Sequence, residues 1–379
     1  MKKILIIAGE ASGDLHGSNL VKAMKEQDPS LVFYGVGSRN MRNAGVSLLA
    51  DASEISVIGA TEVLTHIGAI YRVYARLKRF LREERPDLLI LIDFPDFNIL
   101  TGKAARKLGI PILYYISPQV WAWRKGRINT LARLVTAMMV VFPFEVDLYR
   151  HAGVDVRFVG HPLADIVKSA YTREESRSLL GIDRDRRTIA LLPGSRTKEI
   201  MYLLPDMLKA AAILREKFPE LQFILPVAPT LAQDLVKRYV AESGVPLKIT
   251  DGQVYDVLRA SDAAIVTSGT ATLETGLMAV PMVIVYRMSW LSYLLARIFI
   301  HVKHIGLVNI VAGKTVVPEL IQDNATPAKI VAALGTLLMD QGKYEQVVRD
   351  LKQVRMQLGD GGASGRAAAV ARELLERSA

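Results

Sequence analysis

The chain of 379 residues contains no cysteine. That excludes a disulfide framework, a thiol nucleophile and a cysteine-bound zinc, and it fits a reducing cytoplasm. Long uncharged apolar runs are missing as well. The greasiest region, Met288 to Val311, is broken by Arg297, Lys303 and two histidines, so no run reaches the ~18 residues expected of a membrane-spanning helix. Lys2-Lys3 followed by Ile4–Ala8 is too short for a secretion signal, and Glu10 and Asp14 put charges directly after the apolar run. No group of His, Asp and Glu has metal-ligand spacing, so neither an essential metal nor a cofactor is expected. Asp183-Arg-Asp185 matches a D-x-D metal pair by letters only, because it sits in a charged connection between arginines. The dinucleotide fingerprint G-x-G-x-x-G is absent: the first loop reads Gly9-x3-Gly13-x3-Gly17, and Val32–Val36 has no acidic residue at its end. A nicotinamide enzyme is therefore disfavoured. There is no internal repeat and no low-complexity segment.

The composition is globular, 50% apolar and 23% charged, with a formal charge of +10. The charge suggests an anionic partner: nucleic acid, a phosphorylated substrate or acidic lipid. The length predicts two domains. Short apolar runs at Ile4–Ala8, Val32–Val36, Leu88–Ile92, Ile112–Ile116, Met138–Phe142 and Val156–Val159 alternate with helical patterns, among them Ile67–Glu84 and Asn98–Leu108. Beyond a charged connection, His161 to Arg187, comes a second series: strands at Thr188–Leu192, Leu221–Pro226, Leu247–Thr250, Ala263–Thr267 and Met282–Tyr286, separated by helices. Alternation of this kind predicts parallel, doubly wound sheets, hence an α/β chain of two Rossmann-like domains facing a cleft.

Several strand ends carry chemistry. Asp93 comes directly after the run Leu88–Ile92, at the edge where open α/β sheets bind ligands. Flanked by Phe94 and Phe97, its carboxylate is suited to general-base work, with a structural role equally open. Asp96 is placed to cap the next helix. Leu192-Pro-Gly-Ser195-Arg196 puts a guanidinium at another strand end, where it could pair with a phosphate or, on the bland reading, with Glu199. Ser268-Gly269-Thr270 opens a helix after Ala263–Thr267. Helix N-termini favour anions, and Glu274, one turn on, could accept bonds from a sugar's hydroxyls. A capped helix with a solvated Glu is the alternative. Two segments look suited to a membrane surface. One is the apolar series Ile70, Val73, Leu77, Phe80 and Leu81 beside Arg72, Arg76 and Arg79, with the greasy lead-in from Val57; the other is Met288-Ser-Trp290 to Arg297.

These motifs, with Ala8-Gly-Glu-Ala-Ser-Gly-Asp14, Ser117-Pro-Gln-Val-Trp-Ala-Trp123, Phe142-Pro-Phe-Glu145, Val159-Gly-His-Pro162 and Val308-Asn309, resemble the lipid-A-disaccharide synthase family along nearly the whole chain. The resemblance implies a GT-B glycosyltransferase that joins UDP-2,3-diacylglucosamine to 2,3-diacylglucosamine 1-phosphate with inversion. Its implied partners are that UDP-sugar donor, the acylated sugar-phosphate acceptor and an anionic membrane surface, with no nucleic acid. By the family's pattern Asp93 is the base and Arg196 stabilises the departing diphosphate. Ser268, Gly269 and Thr270 hold the pyrophosphate, Glu274 the ribose, and Ser195 and Asn309 belong to the nucleotide site. Residues 1–165 would form the acceptor side and 166–350 the UDP-sugar side. Residues 351–379 would be a helical segment packed back on the first domain or on the second protomer of a homodimer. The implied location is the cytoplasmic face of the inner membrane. The alternatives are another GT-B UDP-N-acetylglucosamine transferase or epimerase, and a membrane-surface protein that binds phospholipid without catalysis.

Overall fold

Central strands such as Ile4–Ala8 and Leu88–Ile92 are continuous apolar runs because both faces of a parallel sheet are covered by helices. The computed structural model describes residues 1–55, 60–119, 126–290, 293–294 and 303–377, with backbone alone over 60–67. It divides into two units: Met1–Asp165 with Leu358–Ala379, and Ile166–Gln357.

In the first unit β1 (Lys3–Ala8), β2 (Val32–Gly37), β3 (Val46–Asp51), β4 (Leu88–Ile92), β5 (Ile112–Tyr115), β6 (Ala137–Val140) and β7 (Val156–Phe158) form one parallel sheet in the order β3-β2-β1-β4-β5-β6-β7. All five residues of β4 are fully buried. The chain winds outward from β1 to β3, then returns across the sheet to lay β4 against the other side of β1. The helices that matter here are α1 (Ala11–Gln27), α2 (Arg39–Asn43), α3 (Ala60–Glu83) and α4 (Pro95–Arg106).

The second unit repeats the plan with β8 (Arg187–Leu192), β9 (Leu221–Val227), β10 (Leu247–Asp251), β11 (Ala263–Thr267), β12 (Met282–Tyr286) and β13 (Glu319–Ile321), in the order β10-β9-β8-β11-β12-β13 and again all parallel. Its site is built with α5 (Thr197–Lys217), α6 (Val254–Ala260), α7 (Thr270–Leu277) and α8 (Leu307–Ala312). The last helix, α9 (Ala363–Arg377), packs on α1 in the first unit, where Arg366 Nε donates to the Val159 carbonyl at 2.8 Å.

The structure departs from the sequence reading in three respects. β3 and β13 have no counterpart in it, because both are edge strands with mixed burial rather than continuous apolar runs. Asp96 is not the cap of α4. Phe94 occupies that position, Pro95 is the first helical residue, and Asp96 sits in the first turn paired with Arg127. The apolar face of α3 is core and not membrane surface: Val73, Leu77 and Leu81 are fully buried, and Ile70 and Phe80 pack against the same cluster. The lead-in to that helix and the Trp121–Trp123 part of the tryptophan block lie outside the described side chains.

Asp14, on α1, holds the start of α2: its buried carboxylate accepts hydrogen bonds from the main-chain N–H groups of Ser38 (2.6 Å), Asn40 (3.0 Å) and Met41 (3.2 Å). A buried charge is tolerated when hydrogen-bonded in this way. Gly13 and Gly17, both within α1, pack against Ile92 and Met41, so they serve the close contact of α1 with β4 and α2.

Candidate active site

β4 ends at Ile92, and the next two residues, Asp93 and Phe94, both adopt left-handed backbone, with φ of 43° and 45°. For residues carrying a Cβ that conformation costs roughly 1–2 kcal/mol each. It turns the chain sharply from strand into α4 and leaves the Asp93 side chain at the carboxyl end of β4, beside the loop after β1. The Phe94 ring lies against Gly9, where a Cβ would sit 2.4 Å from it, so only glycine allows the two to approach.

Asp93 is half-buried. Burial first, and the neighbouring Glu10 carboxylate second, push its carboxyl up to about 6, opposed by a hydrogen bond from the Phe94 N–H. A carboxyl poised there can accept a proton near neutral pH, which is what a general base needs.

The second unit holds a cavity of about 470 Å³ at the carboxyl ends of β8 and β11. Its wall brings together Gly194, Ser195, Arg196, Ser268, Gly269, Thr270 and Glu274. At the β8 end, Gly194 has φ 115°, and a Cβ there would fall 2.2 Å from Glu199 Oε2. Glu199 reaches back to accept from the N–H groups of Ser195 (2.9 Å) and Arg196 (3.2 Å), and its other oxygen takes Arg196 Nη1 at 3.2 Å. The ion pair with Glu199 is thus real. The Arg196 side chain is 76% exposed, though, and such a pair contributes roughly 0.2–1 kcal/mol. That is little enough for the guanidinium to be shared with a phosphate.

At the β11 end, α7 begins directly after Gly269. The first N–H groups of a helix have no acceptor within it, and the dipole there is positive. Ser268 donates its hydroxyl to the Ile305 carbonyl at 3.1 Å. Glu274 is half-buried rather than solvated. Its Oε1 accepts from the Tyr255 hydroxyl at 2.9 Å, and burial raises its carboxyl above the usual range against that hydrogen bond.

Asn309 is placed differently. Fully buried on α8, it donates to the Val317 carbonyl and to Glu319 Oε1 (both 2.8 Å), and its Oδ1 accepts from the N–H groups of Val316 and Val317. Glu319 in turn holds the N–H groups of Ile305 and Gly306. Asn309 therefore supports the loop on which Ser268 rests and does not line the cavity. Among the described residues no group of three or more His, Cys, Asp or Glu is arranged to hold a metal ion.

Two contributors escape sequence reasoning. Tyr255 is one of 13 tyrosines and carries no local signal. Glu10, the charge that perturbs Asp93, is distant in sequence from it. Glu199 is legible as a partner of Arg196, since a carboxylate three residues after a helix start is the mark of a capping box.

The sequence family described as Lipid-A-disaccharide synthetase matches residues 4–373. The chain belongs to that family. Relatives called lipid-A-disaccharide synthase include one from Geobacter metallireducens, 51% identical over 99% of this chain and 97% of its own length. Another, from Syntrophus aciditrophicus, is 50% identical over 100% and 99%. Solved structures with the same fold include a UDP-GlcNAc 2-epimerase from Neisseria meningitidis, with TM-score 0.67 and 12% identity over 99% of this chain and 100% of that one. MurG from Acinetobacter baumannii has TM-score 0.61 and 16% identity over 98% and 100%. The two Rossmann-like parallel-sheet domains of a GT-B glycosyltransferase are thus what this family member has.

The carboxyl of Asp93 has a direct consequence for stability. Its folded value, about 6, lies above the ordinary value of 3.8, so ionised Asp93 opposes folding. The opposition is full above pH 6 and is relieved as pH falls from about 6 toward 4. Asp93→Asn is therefore expected to raise the unfolding temperature at pH 7.5, with the difference shrinking at pH 5. Thermal unfolding at the two pH values checks this; a variant less stable than the parent at pH 7.5 contradicts it.

Proposed function

We propose that this chain joins UDP-2,3-diacylglucosamine to 2,3-diacylglucosamine 1-phosphate, giving the β-1,6-linked disaccharide 1-phosphate and UDP. The observation that carries the roles is the raised, half-buried Asp93 carboxyl at the end of β4, together with a second-unit cavity that groups an arginine with a helix N-terminus. Asp93 takes the proton of the acceptor's 6-hydroxyl. The oxygen attacks the donor's anomeric carbon from the face opposite the diphosphate, the carbon–oxygen bond to UDP breaks, and its electron pair leaves with UDP. One displacement with one base gives inversion. The departing charge is met by the N–H groups of Gly269 and Thr270 at the start of α7, with Arg196 turning from Glu199 to the diphosphate. Glu274, with one oxygen held by Tyr255, offers the other to the ribose hydroxyls.

The readings as another GT-B UDP-N-acetylglucosamine transferase or epimerase rest on fold alone, and a non-catalytic lipid binder would have no use for a base at the end of β4. UDP release that requires both acylated substrates separates these readings. Asp93→Ala is expected to keep UDP affinity and lose about a hundredfold or more in turnover, the scale of a missing general base. Arg196→Ala is expected to lose both UDP affinity and rate. Near-parental turnover in the first, or unchanged UDP affinity in the second, removes that residue from its role.

Because Asp93 acts ionised, activity should fall as pH drops through about 6. Replacing Glu10 by Gln removes a like charge, so the acid limb should move to lower pH; a limb that stays in place excludes the coupling.

Among the described residues no helix is long and apolar enough to cross a membrane. We assign the chain to the surface of an anionic membrane on the strength of Trp290, 69% exposed and next to Tyr293, the exposed Arg72 and Arg79, and substrates that carry acyl chains. The rest of the Met288–Arg297 segment after Leu294, and Leu291 and Ser292 within it, lie outside the described residues. In a homodimer with exchanged ends, the partner's copy of α9 would take the place that α9 occupies on α1. Binding to anionic vesicles should weaken at high salt and with Trp290→Ser. Binding insensitive to both sinks the assignment.

A further inference from the structure

The left-handed pair Asp93–Phe94 is held from beneath by two side chains that the reaction itself does not call on. Asn98, on α4 and fully buried, donates one amide hydrogen to the Ile92 carbonyl at 3.1 Å and the other to the Asp93 carbonyl at 2.7 Å. Turning the amide over would set its oxygen against two carbonyl oxygens, so its orientation is determined. Tyr114, on β5 and also fully buried, donates its hydroxyl to the same Asp93 carbonyl. Two neutral donors from different elements thus converge on one main-chain oxygen, at the residue whose backbone is strained. A strained conformation persists where its surroundings over-determine it.

We infer that Asn98 and Tyr114 are positioning residues: by fixing the Asp93 carbonyl they lock the left-handed turn and so set the direction of the base carboxylate. The inference rests on the reading of Asp93 as the base. Neither residue touches substrate in this scheme, and both act through the main chain of Asp93. Packing alone would be served as well by phenylalanine at 114. The hydroxyl is the part that has a task.

Tyr114→Phe keeps the ring and removes the one donor. It is expected to lower kcat about tenfold, which corresponds to about 1.4 kcal/mol of barrier, with the donor KM and the UDP affinity unchanged because the second unit is untouched. Asn98→Ala should lower kcat further; if it fails to fold, Tyr114→Phe still decides the matter. The discriminating measurement is the double variant. If Tyr114 acts through Asp93, then adding Tyr114→Phe to Asp93→Asn should change the residual turnover less than about twofold, because residues that act as a unit are not additive. Parental kcat in Tyr114→Phe overturns the inference, and so does the same tenfold loss in the Asp93→Asn background. The base assignment is read separately: Asp93→Asn with near-parental turnover removes it, whatever Tyr114→Phe does alone.

Discussion

The site depends on one constraint of parallel sheets, that strands wound outward in two directions from a starting strand leave an uncovered crevice where the direction reverses. In the first unit the reversal lies between β1 and β4, and in the second between β8 and β11. The residues that carry the proposed chemistry lie in the turns that follow those strands: Asp93 beside Glu10 in one unit, Arg196 and Gly269–Thr270 in the other. No long loop is needed within either unit. Adjacent strands 4.7–4.9 Å apart place the ends of β8 and β11 side by side, and a single helix start and a single arginine then meet in one cavity.

The polar residues singled out above differ in how fully they are hydrogen-bonded. Asp14 takes three main-chain N–H groups, and Asn309 uses both its donors and its acceptor within the fold. These groups are satisfied, and they hold loops in place. Asp93 and Glu274 are different: burial raises both carboxyls with only partial relief from a hydrogen bond. Arg196 leaves most of its side chain in solvent. The first group holds loops in place, and the second leaves polar capacity unused by the fold. The left-handed turn at Asp93 belongs with the second group, because its conformational cost is offset only by the groups around it.

Much of this is legible in the sequence. The apolar runs of β1, β4, β8 and β11 announce buried parallel strands, and their ends pick out Asp93, Arg196 and Ser268. The features that stay hidden have physical causes. β3 and β13 are edges whose residues are mostly only partly buried, a third of each is polar, and the continuous run that marks a buried strand is absent. Asp96 looks like a cap because sequence alone does not reveal that Asp93 and Phe94 turn left-handed and start α4 at Pro95. The α3 face reads the same whether it meets lipid or core, since period and composition are identical; only burial of Val73, Leu77 and Leu81 distinguishes them. Tyr255 is invisible because its contact with Glu274 joins two helices whose proximity arises from the sheet order.

Asn309 is tied to the second-unit cavity through a chain of hydrogen bonds rather than by lining it. Its amide holds Glu319, Glu319 holds the N–H groups of Ile305 and Gly306, and the Ile305 carbonyl takes the hydroxyl hydrogen of Ser268. That chain of bonds bears on which group would serve a diphosphate. Phosphate oxygens require donors, and the single hydrogen of Ser268 is already committed to Ile305. The donors that remain at the start of α7 are main-chain N–H groups and the exposed Thr270 hydroxyl. On this reading Thr270 and the helix start meet the diphosphate, and Ser268, fixed through Asn309 and Glu319, keeps the turn in the shape that presents them.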